Sequence, residues 1–195
     1  MGFYSVEASG FDIAPPTDDL RDGAEILREY TDESGKPLTS VAQGDEVYVR
    51  LKFRGLNQTF DGISMAVVDL LPGGFDLVLN PSFNEANTQQ SLRRDDDYED
   101  RNDDEHYEDR DEESWSAPFG NSPTNWSVQY ADMREDRVVL YGTLATSTHE
   151  FIYKIRATNV GTYTLPPAYT EGLYRRDVRA RSLPGNKLTV TPAGK

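Results

Sequence analysis

Residues 150 to 181 read E-F-I-Y-K-I-R-A-T-N-V-G-T-Y-T-L-P-P-A-Y-T-E-G-L-Y-R-R-D-V-R-A-R. Phe151, Tyr153, Ile155 and Ala157 recur at every second position, the period at which a β-strand returns to the same face. Gly161 marks a turn, after which Val160, Thr162 and Thr164 alternate with Gly161, Tyr163 and Leu165 in a second strand. Pro166-Pro167 brings no backbone N–H donor and ends the pairing. Beyond it the reading is an aromatic loop carrying Tyr169, Leu173 and Tyr174. Two roles are open for that loop: a stiff contact surface, because aromatic rings offer area at low entropic cost, or tyrosines packed beneath their own backbone.

The same two-residue period extends outward in both directions. In D-E-V-Y-V-R-L-K-F-R, residues 45–54, Val47, Val49, Leu51 and Phe53 share one face while Tyr48, Arg50, Lys52 and Arg54 share the other. That is the pattern of a half-buried strand. The segment I-S-M-A-V-V-D-L-L, residues 63–71, is apolar on both faces near its centre and predicts a central strand covered on both sides. Leu71-Pro72-Gly73-Gly74 stops it, and residues 75–79 resume as a short strand. W-S-V-Q-Y (126–130) and V-V-L-Y-G-T-L (138–144) form an antiparallel pair about a charged turn, and residues 187–190 supply a last strand. Toward the N-terminus, residues 3–13 read as a strand broken by Pro15-Pro16, and A-E-I-L-R-E-Y, residues 24–30, as an edge strand ended by D-E-S-G-K-P. Eight or nine short strands with turn signals between them, and no helical period, indicate an all-β antiparallel sandwich, with a closed barrel as the alternative.

Between residues 80 and 124 the character changes. Residues 95–113 hold 13 acidic residues and two arginines, a net of −11 out of −14 for the whole chain. Like charges at that density repel and have no face to pack, so residues 88–123 are expected to be a flexible acidic insertion loop within one domain spanning residues 1–195. Y-E-D-R occurs twice there, at 98–101 and 107–110, as low-complexity expansion. Asp95, Asp97 and Glu99, or Asp103, Asp104 and Glu105, could gather Ca²⁺. The stretch lacks the glycine and spacing of a dedicated calcium loop, and loose cation condensation is the simpler reading.

The remaining totals exclude more than they assign. A net charge of −14 and a pI near 4.5 argue against binding to a phosphate backbone. Without cysteine there is no disulfide, thiolate metal site or cysteine nucleophile. The two histidines, His106 and His149, leave little material for a Ser-His-Asp triad or a histidine metal site. No apolar run approaches the roughly 20 residues that a membrane-spanning helix needs. No catalytic residue, metal ligand or cofactor is assigned. Asp69, inside V-V-D-L-L, is expected to be partly buried and hydrogen-bonded to a nearby turn. Met1-Gly2, set directly before F-Y-S-V-E-A, points to an excised piece of a larger protein with an added start.

V-V-D-L-L-P-G-G-F at 67–75, M-R-E-D-R-V-V-L-Y at 133–141, E-F-I-Y-K-I-R-A-T-N-V-G-T-Y-T-L-P-P-A-Y-T-E-G-L-Y at 150–174 and R-E-Y-T-D-E-S-G-K-P-L at 28–38 resemble the C-terminal macroglobulin-like domain of bacterial alpha-2-macroglobulins. The resemblance runs from about Tyr4 to Val190, interrupted at the acidic insertion. It implies an immunoglobulin-like, macroglobulin-like β-sandwich at the end of a large periplasmic, lipid-anchored protein that traps proteases. It implies as partners the other domains of that parent chain, above all a thioester domain, together with trapped proteases and envelope proteins. In family members with a thioester, this domain shields the bond from water through a Glu-x-Met-Tyr element after the Pro-Pro pair. Here that element reads Glu171-Gly172-Leu173-Tyr174, with leucine in the methionine's place. The shielding residues implied are Tyr174, Leu173, Tyr169, Pro166 and Pro167. Other relatives lack the thioester and act within envelope complexes. The alternative is a stand-alone adhesin or carbohydrate-binding sandwich, which an aromatic platform on a sheet face would favour. A two-carboxylate hydrolase, which needs a cleft, comes third.

Overall fold

In the computed structural model the described residues are 16–79, 125–126 and 128–194. The expected strand at 3–13, the acidic insertion and its candidate calcium residues lie outside them. Thirteen strands are described, with one short 3₁₀ turn at Gln58–Phe60. β1 is Leu20–Asp22, β2 Ala24–Thr31, β3 Ser40–Ala42, β4 Glu46–Gly55, β5 Ile63–Leu70, β6 Phe75–Leu77 and β7 Val128–Met133. β8 is Arg137–Leu144, β9 His149–Ala157, β10 Gly161–Thr164, β11 Tyr169–Gly172, β12 Arg175–Arg181 and β13 Lys187–Thr191.

They form a six-stranded sheet in the order β1-β12-β11-β5-β8-β7, a four-stranded sheet β2-β4-β9-β6 and a three-stranded sheet β10-β13-β3. All pairings are antiparallel except β13 with β3. The two larger sheets present their inner faces to one another. Val47, Val49, Leu51 and Phe53 of β4 and Phe151, Tyr153, Ile155 and Ala157 of β9 meet Met65 and Val67 of β5, Val138 and Leu140 of β8, and Val178 and Ala180 of β12 in one core. Each side chain of Val or Phe size so buried stabilises the fold by about 1.5–3 kcal/mol. The sheets keep open edges, so the architecture is the sandwich and not the barrel. β2 stands at a sheet edge, as its sequence predicts.

Two features tie the layers together. Trp126 lies edge-on to Phe53 at 4.7 Å, and its indole N–H donates to the Thr143 carbonyl at 2.8 Å. Deeper in the sandwich, the inward-facing Arg28 of β2 forms an ion pair with Asp69 of β5, both side chains being almost fully buried. The Tyr153 hydroxyl of β9 donates to the other Asp69 oxygen at 2.7 Å. Asp69 is therefore not bonded to a nearby turn: its partners come from the opposite sheet, which only the three-dimensional pairing brings into reach. Burial pushes the Asp69 carboxyl above its ordinary range, while the Arg28 guanidinium and the Tyr153 hydroxyl pull it back down. Burial also works against the Arg28 charge, but the adjacent carboxylate carries its pKa upward on balance.

The aromatic loop expected after Pro167 is a β-hairpin. In R-R-D-V-R-A-R the apolar members of the alternation are only Val178 and Ala180, and the outward arginines hide a strand whose inner residues are both buried. Gly23 allows β12 to approach. Its φ is +70°, and a Cβ there would lie 2.7 Å from the Asp177 carbonyl, so the position takes neither the steric bulk nor the backbone preference of another residue.

Candidate functional site

The hairpin is built from its base upward. Leu165 and Ala168 are buried on either side of the half-exposed Pro166 and Pro167. The Ala168 N–H donates to Ser182 Oγ at 2.9 Å, and the Ser182 N–H donates back to the Ala168 carbonyl at 2.9 Å. The proline pair thus delivers β11 to β12 with the residue before the strand pinned, and both prolines sit at the base of the hairpin, away from its tip.

β11 is held on both sides, by β12 and by β5. Thr170 faces the core, where its hydroxyl donates to the Ala66 carbonyl at 2.8 Å. The pairing with β12 shifts between Glu171 and Gly172, and Gly172 then pairs with Arg175. Leu173 and Tyr174 are left as the two-residue tip. The Leu173 N–H still donates to the Ser64 carbonyl at 2.9 Å, extending the β5 ladder into the turn. The tip is therefore rigid in its backbone and open in its side chains: Leu173 is 44% and Tyr174 88% exposed.

Arg175 braces the return strand. Its guanidinium lies over the Phe60 ring at 5.3 Å and forks onto Asp177, with contacts of 2.9 and 2.7 Å. This pairing holds the Asp177 carboxyl down to about 2. Arg176, one residue on, makes no hydrogen bond or ion pair among the described residues. It lines a groove of about 330 Å³ together with Tyr169, Glu171, Leu173, Val178 and Arg179.

The residues singled out in the sequence therefore separate. Leu173 and Tyr174 stand together at the tip. Tyr169 lies on the outer sheet face beside Val68 and Arg181, its hydroxyl donating to Glu171 at 2.9 Å. Burial first, and then this carboxylate, raise its pKa. Pro166 and Pro167 position the hairpin without reaching its tip. The sequence reading missed Phe60, Arg175 and Arg176. The Leu-Tyr pair between T-E-G and R-R-D-V-R-A-R was the available signal for a tight hairpin, had the arginine-rich stretch been read as a strand.

At the tip stand one aliphatic side chain and one phenol, with no carboxylate, histidine or serine between them. Among the described residues no group of three or more His, Asp or Glu could hold a metal ion. Asp69, the buried carboxylate, faces Arg28 and Tyr153 across the core and is fully buried. What the hairpin can do is press a bare aromatic ring against another surface at low conformational cost.

The family model for the bacterial alpha-2-macroglobulin MG10 domain matches residues 23–177. The chain is 42% identical over 197 residues to an alpha-2-macroglobulin homolog of Yersinia pestis, which covers 99% of this chain and 9% of that protein. The structure is similar to a crystal structure of a Salmonella alpha-2-macroglobulin mutant, with a TM-score of 0.65 at 22% identity over 94% of this chain and 10% of that one. It is also similar to native Escherichia coli alpha-2-macroglobulin spanning domain MG7 to the C-terminus, with a TM-score of 0.64 at 22% identity over 94% of this chain and 25% of that one. These structural likenesses speak to the fold. The chain spans under a tenth of the length of the curated relatives it matches.

Proposed function

Since the chain belongs to the bacterial alpha-2-macroglobulin family, whose MG10 model covers most of it, we propose that it is a non-catalytic domain of a larger protease-trapping chain. Its hairpin tip docks on a thioester domain of that chain and keeps water from the bond. The parent is periplasmic and anchored by lipid, and proteases and envelope proteins are partners of the parent as a whole.

The observation that carries this reading is Tyr174, 88% exposed on a turn whose backbone is tied to two neighbouring strands. A free, flexible loop would lose entropy on docking, whereas this ring is already presented. Water exclusion from a strained acyl bond needs a held apolar or aromatic cover rather than an acid or base, which matches the side chain of Leu173 and the ring of Tyr174. Leucine in place of methionine keeps the bulk and apolarity of the second contact.

The test is Tyr174→Ala in the parent protein. Spontaneous thioester hydrolysis and methylamine incorporation should rise by about thirtyfold, the effect of losing an anchor worth about 2 kcal/mol, while the fold stays intact. Unchanged reactivity towards methylamine would overturn the assignment.

A further inference from the structure

The outer face of the six-stranded sheet is unlike an ordinary solvated face. One row across it runs Tyr130, Tyr141, Ala66, Glu171, Arg179 and Asp22, each residue paired in register with the next. The adjoining row runs Asp132, Val139, Val68, Tyr169, Arg181 and Leu20. On the β8 and β5 side these outward residues are aromatic or aliphatic, and on β7 Tyr130 continues them while Asp132, paired with Arg134 at 3.0 Å, begins a charged border. On the β12 and β1 side they are ionic, with Arg179 paired to Asp22 at 3.1 Å. Tyr130 is 57% exposed and its ring lies 5.9 Å from that of Tyr141, while Ala66 beneath is only 5% exposed. The sequence predicted that β5 is covered on both sides. Among the described residues its outer side has no covering element.

We propose that this face, from Tyr130 and Tyr141 across Ala66 and Val68 to Tyr169, is a second docking surface covered by a neighbouring domain of the parent chain. The proposal rests on the reading of this chain as one domain of a longer protein. An apolar centre with a charged border is the anatomy of a protein interface, and aromatic residues are enriched in such centres.

Three observations select the occupant. Relatives extend more than tenfold beyond the matched region, so covalently linked partner domains are at hand at high effective concentration. The groove that joins Tyr169, Glu171 and Arg179 to Leu173 and Arg176 makes the face continuous with the hairpin tip. Its cation without an ion pair among the described residues, Arg176, calls for a carboxylate on the covering domain. A sugar is the weaker fit. The Tyr130 and Tyr141 rings are inclined by 40° and form no flat platform, and the Tyr169 hydroxyl is already engaged by Glu171.

Hydroxyl-radical footprinting of Tyr130 and Tyr141 in the 195-residue chain and in the parent tests this, with Tyr48 on the outer face of the opposite sheet as internal reference. Modification of Tyr130 and Tyr141 should fall about tenfold in the parent, as for residues at the dry centre of an interface, and should stay low in a parent deleted for residues 88–123. Equal modification in chain and parent overturns the proposal. So does protection already present in the 195-residue chain and lost on deleting residues 88–123, since the cover would then be the chain's own insertion. Protection of the isolated chain by cellohexaose or chitohexaose overturns it in favour of a glycan. Footprinting the Tyr174→Ala parent separates the two surfaces: protected tyrosines with unchanged thioester reactivity remove the hairpin role and leave the face, and the reverse result removes the face alone.

Discussion

Two arginine–carboxylate pairs define opposite ends of this domain's physics. Arg28 and Asp69 meet in the core with side chains 2% and 1% exposed, joined by the Tyr153 hydroxyl. Arg175 and Asp177 meet on the hairpin in full contact with water, with side chains 46% and 56% exposed. The chemistry of the groups is the same, and their consequences differ because of what surrounds them. The inner pair binds three strands from two sheets and is costly to leave half-made. The outer pair sets the direction of one side chain beneath the proposed contact surface and is cheap to lose. Architecture and contact are therefore separable here, and substitutions can show how completely.

The largest effect falls on the inner pair. Asp69→Ala leaves the Arg28 charge buried with no counter-ion and should cost about 3–5 kcal/mol, read as a lower urea midpoint. The double variant Arg28→Met with Asp69→Leu removes both charges and should recover most of that loss, because the desolvation cost disappears with the pair. If the double variant is as unstable as the single one, the clamp's value lies in packing and the contrast with the hairpin weakens. Tyr153→Phe is a milder probe. It removes the donor to the second Asp69 oxygen and should cost about 1–3 kcal/mol, with the volume of the site preserved.

How far each region could be read in advance follows from the same contrast. Strands β4 and β9 carry an apolar residue at every second position, Val47 to Phe53 and Phe151 to Ala157, and that period survives any tertiary arrangement. The clamp was half legible: Asp69 inside V-V-D-L-L signals a buried carboxylate, but Arg28 lies 41 positions away and Tyr153 84. Those separations are set by the stacking of the sheets and leave no local pattern. β12 was illegible as a strand for a different reason. Its inner positions are only Val178 and Ala180, and the outward positions are long arginines whose charge dominates the string. The outer face of the large sheet was visible as the two-sided apolarity of β5, though that pattern cannot say whether the second cover comes from the same domain or from another.

On the hairpin the same logic predicts a near absence of effect on folding. Tyr174→Ala should change the unfolding free energy by less than about 0.5 kcal/mol, the range for exposed positions away from packed features, even though the proposed function makes it the most damaging substitution for shielding. A loss comparable to that of Tyr153→Phe would mean that Tyr174 packs on its own domain, and the division between architecture and contact would fail at its most important residue.

The smallest effect is the sharpest test of why the two pairs differ. Burial raises the Asp69 carboxyl, whereas Asp177, with little desolvation to oppose Arg175, is held down to about 2 from an ordinary 3.8. The signs of their pH dependence are therefore opposite. A depressed folded pKa gives Asp177 a contribution that is present above its unfolded value and is lost as pH falls through about 2. A raised folded pKa means that the folded state takes up a proton at Asp69 before the unfolded chain does. That uptake relieves the desolvation of the carboxylate as pH falls, but it leaves the Arg28 charge without its counter-ion, the same loss that Asp69→Ala imposes. Carboxyl-carbon NMR titration distinguishes them directly, with Asp177 expected to titrate below every unpaired aspartate and Asp69 above. Arg175→Ala should return Asp177 towards 3.8 with the melting temperature essentially unchanged, because a solvent-exposed pair adds little to stability. An Asp177 that already titrates near 3.8 in the unmodified chain would mean that the Arg175 fork does not persist in solution. The hairpin would then present Tyr174 without that brace, held only by the strand pairing to β5 and β12.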